Sequence, residues 1–207
     1  MAENVLDKVE RYYTERFVEH GATARGVDWN GEESQRIRFA QLLRIGGDRR
    51  AFSLNDIGCG YGALVDFLEE QSLDVEYTGF DLSRPMIDHA RERHPTRTFV
   101  DSAEALQIAD YTVASGIFNV KLDTSEERWL PYVLETIRMM DDHSRRGFAF
   151  NMLTSYSDPE RCRADLYYGD PAFFFDLCKR RYARNVALLH DYGLWEWTIL
   201  VRKELDS

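Results

Sequence analysis

Leu54-Asn55-Asp56-Ile57-Gly58-Cys59-Gly60-Tyr61-Gly62 is the stretch whose reading decides the fold. Apolar residues run into it from Ala51, and a helical pattern, Ala63 to Leu68, runs out of it. The reading is strand, glycine turn, helix. Glycines at 58, 60 and 62 let the turn take backbone angles that a side chain forbids. They also let main-chain N–H groups approach a ligand at the start of the helix, where the dipole favours negative charge.

The spacing is Gly-x-Gly-x-Gly, not the Gly-x-Gly-x-x-Gly of dinucleotide binders. Asp56 stands two positions before the first glycine, and Asp81 follows the next strand-like run, Glu76-Tyr77-Thr78-Gly79-Phe80. An acid there, roughly 20 residues past the turn, can accept hydrogen bonds from ribose hydroxyls. Together these residues resemble the class I S-adenosylmethionine (SAM)-dependent methyltransferases. The resemblance implies that the Asp-x-Gly-x-Gly-x-Gly loop cradles the methionine part of SAM and that Asp81 holds its ribose. It also implies the fold: α/β, a Rossmann-like seven-stranded mixed sheet with six parallel strands, strand 7 antiparallel, helices on both faces and an N-terminal helical cap. It covers roughly Ala51 to Lys203 and is most specific at residues 56 to 62 and 81.

At 207 residues the chain is expected to form one domain that buries a sizeable core. Its longest apolar runs fall short of the ~20 residues that cross a bilayer. Met1 to Arg11 mixes acids and bases and carries no apolar signal core, so the expected location is cytoplasmic. Cys59, Cys162 and Cys178 fit no metal or disulfide spacing. The net charge of −10 works against binding a nucleic-acid backbone, and the basic pairs are short and scattered.

Asn4 to Val18 and Glu32 to Leu43 have helical spacing and form the expected cap, residues 1–46. In the family such a segment folds over the SAM pocket, so Tyr12, Tyr13, His20, Trp29, Gln35 and Arg38 could line the site. Strand one is Ala51 to Ile57, strand two Val75 to Phe80, with a helix from Tyr61 to Gln71 between them. Ser83 reads as an N-cap with Pro85 in the first turn of the next helix. The resemblance places Leu82 and Met86 near the adenine and Asp101-Ser102-Ala103, after strand three, at its amine; either Asp101 or Ser102 could make that contact. Ligands of parallel α/β sheets lie beyond the carboxyl ends of the strands, so Ser115, Gly116, Phe118 and Asn119, which follow strand four, belong to the pocket by topology.

Trp129 to Met140 reads as a helix and Gly147 to Leu153 as strand five. The irregular stretch from Thr154 to Pro171 stands where relatives carry a substrate lid. Phe173 to Arg181 reads as a helix, and Asn185 to His190 with Trp195 to Arg202 as an antiparallel pair turning at Tyr192-Gly193.

Methyl transfer from a sulfonium is an in-line displacement and needs no fixed catalytic triad. Orientation alone is worth ~7–11 kcal/mol. A general base helps only where the acceptor must lose a proton. Asn119, Asn151, Tyr168 and His20 are the leading candidates for a base or an acceptor-orienting group, with Tyr156 and His190 behind them. No cluster has metal-ligand spacing. The function expected is methyl transfer from SAM to an oxygen or nitrogen atom of a small molecule, leaving S-adenosylhomocysteine (SAH), by a monomer or homodimer. A protein or RNA methyltransferase and a non-catalytic binding protein of the same fold are the alternatives. Gly116-Ile117-Phe118-Asn119 departs from the Asn-Pro-Pro-Tyr run of enzymes that methylate exocyclic amines of nucleobases.

Overall fold

The computed structural model describes residues 4–27 and 31–203, so Trp29 lies outside the described residues. Two helices lead: α1, Val5–His20, and α2, Glu32–Leu43. Strands and helices then alternate as β1 (Ala51–Ile57), α3 (Ala63–Glu70), β2 (Asp74–Phe80), α4 (Arg84–Arg93) and β3 (Thr98–Val100). They continue as β4 (Ala109–Ala114), α5 (Glu126–Asp142), β5 (Ser144–Leu153), α6 (Pro171–Arg181), β6 (Asn185–Leu189) and β7 (Glu196–Arg202). The strands lie in the order β3-β2-β1-β4-β5-β7-β6. All pairings are parallel except those of β7, which runs antiparallel to both β5 and β6. This is the mixed sheet expected from the sequence.

Successive strand side chains point to opposite faces, and the sheet uses that alternation to build two cores. Phe148, Phe150 and Met152 of β5 and Trp197, Ile199 and Val201 of β7 pack with α5 and α6. Ala149 and Leu200, between them, pack on the other side with Phe39 and Leu42 of α2, Leu64 and Leu68 of α3 and Ile87 of α4. α2 therefore belongs to the core layer, and it is tied there by Arg38, whose Nε donates to Glu196 Oε2 of β7 at 2.6 Å in a buried pair.

One connection lacks its helix. Residues 101–108, between β3 and β4, form only a short 3-10 turn at Ala103–Ala105. The face of β1 and β2 opposite α3 and α4 is left without a helix of its own, and α5 forms the far wall of the resulting trough.

Two local expectations are corrected. Ser83 does stand at the N-cap position of α4, but its hydroxyl caps nothing. It is fully buried and bonds Thr14 Oγ1 at 2.8 Å, because α1 packs across the start of α4 and supplies a closer partner. The helix expected from Trp129 begins at Glu126 and carries Pro131 inside it. Pro131 is exposed, so the hydrogen bond it cannot donate costs a water-facing carbonyl rather than a buried one.

Candidate active site

The glycine turn and Asp81 lie side by side in the lining of one cavity. β1 ends at Ile57, and the main-chain N–H groups of Gly58 and Cys59 both donate to Phe80 O, at 2.7 and 3.0 Å. Gly58, Gly60 and Gly62 have φ of 73°, 55° and 87°, the left-handed region that favours glycine. Asp81 Oδ2 accepts the Gly60 N–H at 2.8 Å, and Oδ1 accepts the Ser83 N–H at 2.8 Å. Burial raises the Asp81 carboxyl above the usual range, and those two N–H bonds pull it back. Each oxygen keeps a lone pair for a further donor.

The cavity holds about 660 Å³. All the cofactor residues expected from the sequence line it except Gly62 and Phe118. Gly62 instead abuts His94 and Phe99, and Phe118 is fully buried in the α5 core. Asp56 lines the cavity beneath the turn and accepts the Tyr77 hydroxyl at 2.8 Å. Burial pushes Asp56 up to about 7 against that bond, with the charge of Asp81 adding to the rise.

The four side chains proposed for chemistry lie outside this lining. Asn119 Oδ1 accepts the Leu153 N–H at 3.1 Å. Asn151 Oδ1 accepts the Gly116 N–H at 2.7 Å, so it stands behind the cavity wall and fixes it. The Tyr168 hydroxyl accepts the Arg163 N–H at 3.0 Å, and His20 ends α1 beside Arg16. Of the cap residues, Tyr13 and Gln35 line the cavity while Tyr12 and Arg38 do not. No residue of 154–170 lines it. That segment is held instead to the loop after β4: Tyr167 N–H donates to Asn119 O at 2.8 Å, and Lys121 and Leu122 N–H donate to Asp165 O at 3.0 Å.

Several lining residues went unseen in the sequence. α1 contributes Leu6, Val9 and Glu10 along with Tyr13, and α5 contributes Tyr132, Thr136 and Met139. The signals were present. Positions 6, 9, 10 and 13 follow the one-face spacing of a helix, and eight residues between β3 and β4 leave no room for a crossover helix.

SAM fits this donor set. A Cβ at Gly60 would come within 3.3 Å of Val27 Cγ1 and 3.8 Å of Met86 Sδ, both cavity residues, so bare backbone forms that wall. The Asp81 carboxylate suits a ribose diol. Leu82, Met86 and Ala103 give an apolar slot for a base, with Asp101 and Ser102 at its polar edge. Asp56 and Asp81 supply the negative potential that a sulfonium needs. Among the described residues no helix is long and apolar enough to cross a membrane.

A family model described as a methyltransferase domain matches residues 55–124. The proposed methyltransferase Rv1506c of Mycobacterium tuberculosis is 52% identical over 164 residues, covering 78% of this chain and 99% of that protein. Among solved structures, magnesium protoporphyrin IX methyltransferase of Synechocystis with bound SAM superposes with a TM-score of 0.66 at 13% identity, covering 98% of this chain and 99% of that one. The Burkholderia thailandensis 1,6-didemethyltoxoflavin-N1-methyltransferase, with bound acceptor and SAH, gives a TM-score of 0.64 at 18% identity over 98% and 92% of the two chains.

Proposed function

This chain belongs to the class I SAM-dependent methyltransferases, and we propose that it transfers the methyl group of SAM to an oxygen or nitrogen atom of a small molecule. Asp81 would hold the ribose hydroxyls, Leu82, Met86 and Ala103 the adenine, and the Asp56–Tyr61 turn the methionine part. Bound there, SAM supplies a methyl group already activated on sulfur. The chain's own task is to orient the acceptor in line and to keep water out. α1 serves both, closing the cavity with Leu6, Val9, Glu10 and Tyr13. Tyr61, hydrogen-bonded to Gln35, lines it as well.

The observation that carries the small-molecule reading is the size of the cavity. Its roughly 660 Å³, which SAM and an acceptor would share, falls within the ~300–1,000 Å³ of small-molecule sites, and α1 lines one side of it. The acceptors named for the two solved relatives, magnesium protoporphyrin IX and 1,6-didemethyltoxoflavin, are small molecules too.

The test is to incubate the protein with methyl-labelled SAM and a cell extract divided into low-mass and macromolecular fractions. Label is expected in the low-mass fraction alone. Label in protein or RNA would overturn the small-molecule reading.

A further inference from the structure

The wall that α1 presents to the cavity is a stripe of Leu6, Val9, Glu10 and Tyr13, with one charge on it. The basic side chains of α1 fall off that stripe. Lys8, for one, is spent on Asp123 at 2.7 Å. Glu10 therefore places a carboxylate among apolar and aromatic neighbours, close enough to Asp81 for its charge to help raise that group, after burial as the main cause. Putting a second carboxylate beside a buried one is unfavourable unless a cation enters the space.

The rest of the lining has the same sign. Asp81 lies at the cofactor end with the partly ionised Asp56, and the exposed Asp101 and Glu104 stand at its rim. Among the described residues the one guanidinium of the lining, Arg138, lies at the far end along α5, where Glu135 and Asp142 flank it and Glu135 hydrogen-bonds it. SAM bears two positive groups and one negative, so the loaded cavity keeps its excess of negative charge. An acceptor bearing a carboxylate or phosphate would meet like charge from Glu10, half-buried, and from Asp81, whose carboxyl burial already raises, where screening by water is weakest.

We propose that the methyl acceptor is an amine-bearing or neutral small molecule with an apolar or aromatic body, that anionic acceptors are rejected, and that Glu10 is the residue that sets this preference. The proposal rests on the methyltransferase reading above and names the acceptor class for the same site. The amine end would lie against Glu10, and its body against Leu6, Val9 and Tyr13.

The test compares matched probes on the SAH-loaded protein: benzylamine against benzoate, each titrated by calorimetry at neutral pH, in the wild type and in Glu10→Gln. The amine is expected to bind at least about tenfold more tightly than the carboxylate, and Glu10→Gln to shrink that ratio to about threefold or less. SAH affinity in the same samples is the internal standard. The proposal is overturned if benzoate binds as well as benzylamine, if neither binds at millimolar concentration, or if Glu10→Gln leaves the ratio unchanged. It is overturned equally if Glu10→Gln weakens SAH as strongly as Asp81→Ala does, for Glu10 would then serve the cofactor. Failure of SAM and SAH to bind the wild type at all is a separate result, and it removes the methyltransferase reading of the cavity instead.

Discussion

The Tyr77 hydroxyl donates to Asp56 Oδ2 at 2.8 Å beneath the glycine turn, joining two residues each only 3% exposed. The Asp56 carboxyl, raised to about 7 chiefly by burial, is half ionised near neutral pH. In the unfolded chain an aspartate titrates near ~4. Folding therefore takes up a proton between about pH 4 and 7, and this group's contribution to stability declines across that window and is fully lost once pH has risen through 7. A cation bound beside Asp56 pulls its pKa down. SAM affinity is thus expected to rise about tenfold between pH 6 and 8 relative to Asp56→Asn, which lacks the titrating group. Calorimetry in two buffers of different ionisation heat would show the proton released. Tyr77→Phe removes the bond that favours the charged form, so the rise should move to higher pH. A slope shared with Asp56→Asn would show that Asp56 does not respond to the cofactor.

Asp81→Ala removes the acceptor of the Gly60 and Ser83 N–H groups as well as the proposed ribose ligand. Leaving buried donors unpaired costs ~1–3 kcal/mol. SAM affinity should fall roughly 5–150-fold, with the thermal midpoint moving only a few degrees. Direct titration of SAM into the variant measures this, and an unchanged dissociation constant would mean that the ribose lies elsewhere.

Arg38 and Glu196 form a buried two-pronged pair, 158 positions apart in sequence, that fastens α2 to β7. Removing one partner strands the other charge in the core, at a cost of ~3–5 kcal/mol. Glu196→Ala should therefore lower the midpoint of thermal unfolding by roughly 6–20 °C. The paired replacement Arg38→Met with Glu196→Leu should recover most of that loss, since a well-packed apolar pair replaces a buried ion pair at little cost. Thermal melts of the wild type and the two variants would check both statements. A double variant as unstable as Glu196→Ala would mean that packing, not charge, holds α2 in place.

The glycine turn and Asp81 were legible in the sequence because their roles are written in main-chain geometry and local order. A positive φ calls for glycine wherever the rest of the chain goes, and a strand that ends in an acid places that acid at the sheet's carboxyl edge. The side chains around the acceptor space were not legible in this way. Asn119 and Asn151 follow or end strands, as read, but which way each turns is decided by partners far along the chain, the N–H groups of Leu153 and Gly116. Phe118 points into the core because Gly116, at φ 74°, turns the loop and gives the cavity to Ile117. Glu10 shows no motif at all. Its place is set by the packing of α1 across α4, marked by the Thr14–Ser83 bond.

Ile117 offers a direct check on how tightly the glycine turn is coupled to the loop after β4. A Cβ at Gly58 would come within 2.2 Å of Ile117 Cγ2, and the φ of Gly58 is 73°. Two penalties follow from Gly58→Ala. The left-handed conformation costs ~1–2 kcal/mol with a side chain present, and Ile117 must leave its place in the cavity wall. Only the second is relieved by shortening Ile117. A double-mutant cycle should therefore be non-additive. Gly58→Ala alone should weaken SAM binding roughly tenfold or more and destabilise the fold. Gly58→Ala with Ile117→Ala should regain part of the affinity, leaving the backbone strain behind. Additive losses in SAM affinity would mean that the two residues do not press on each other, and that the turn shapes the cofactor site through its backbone angles alone.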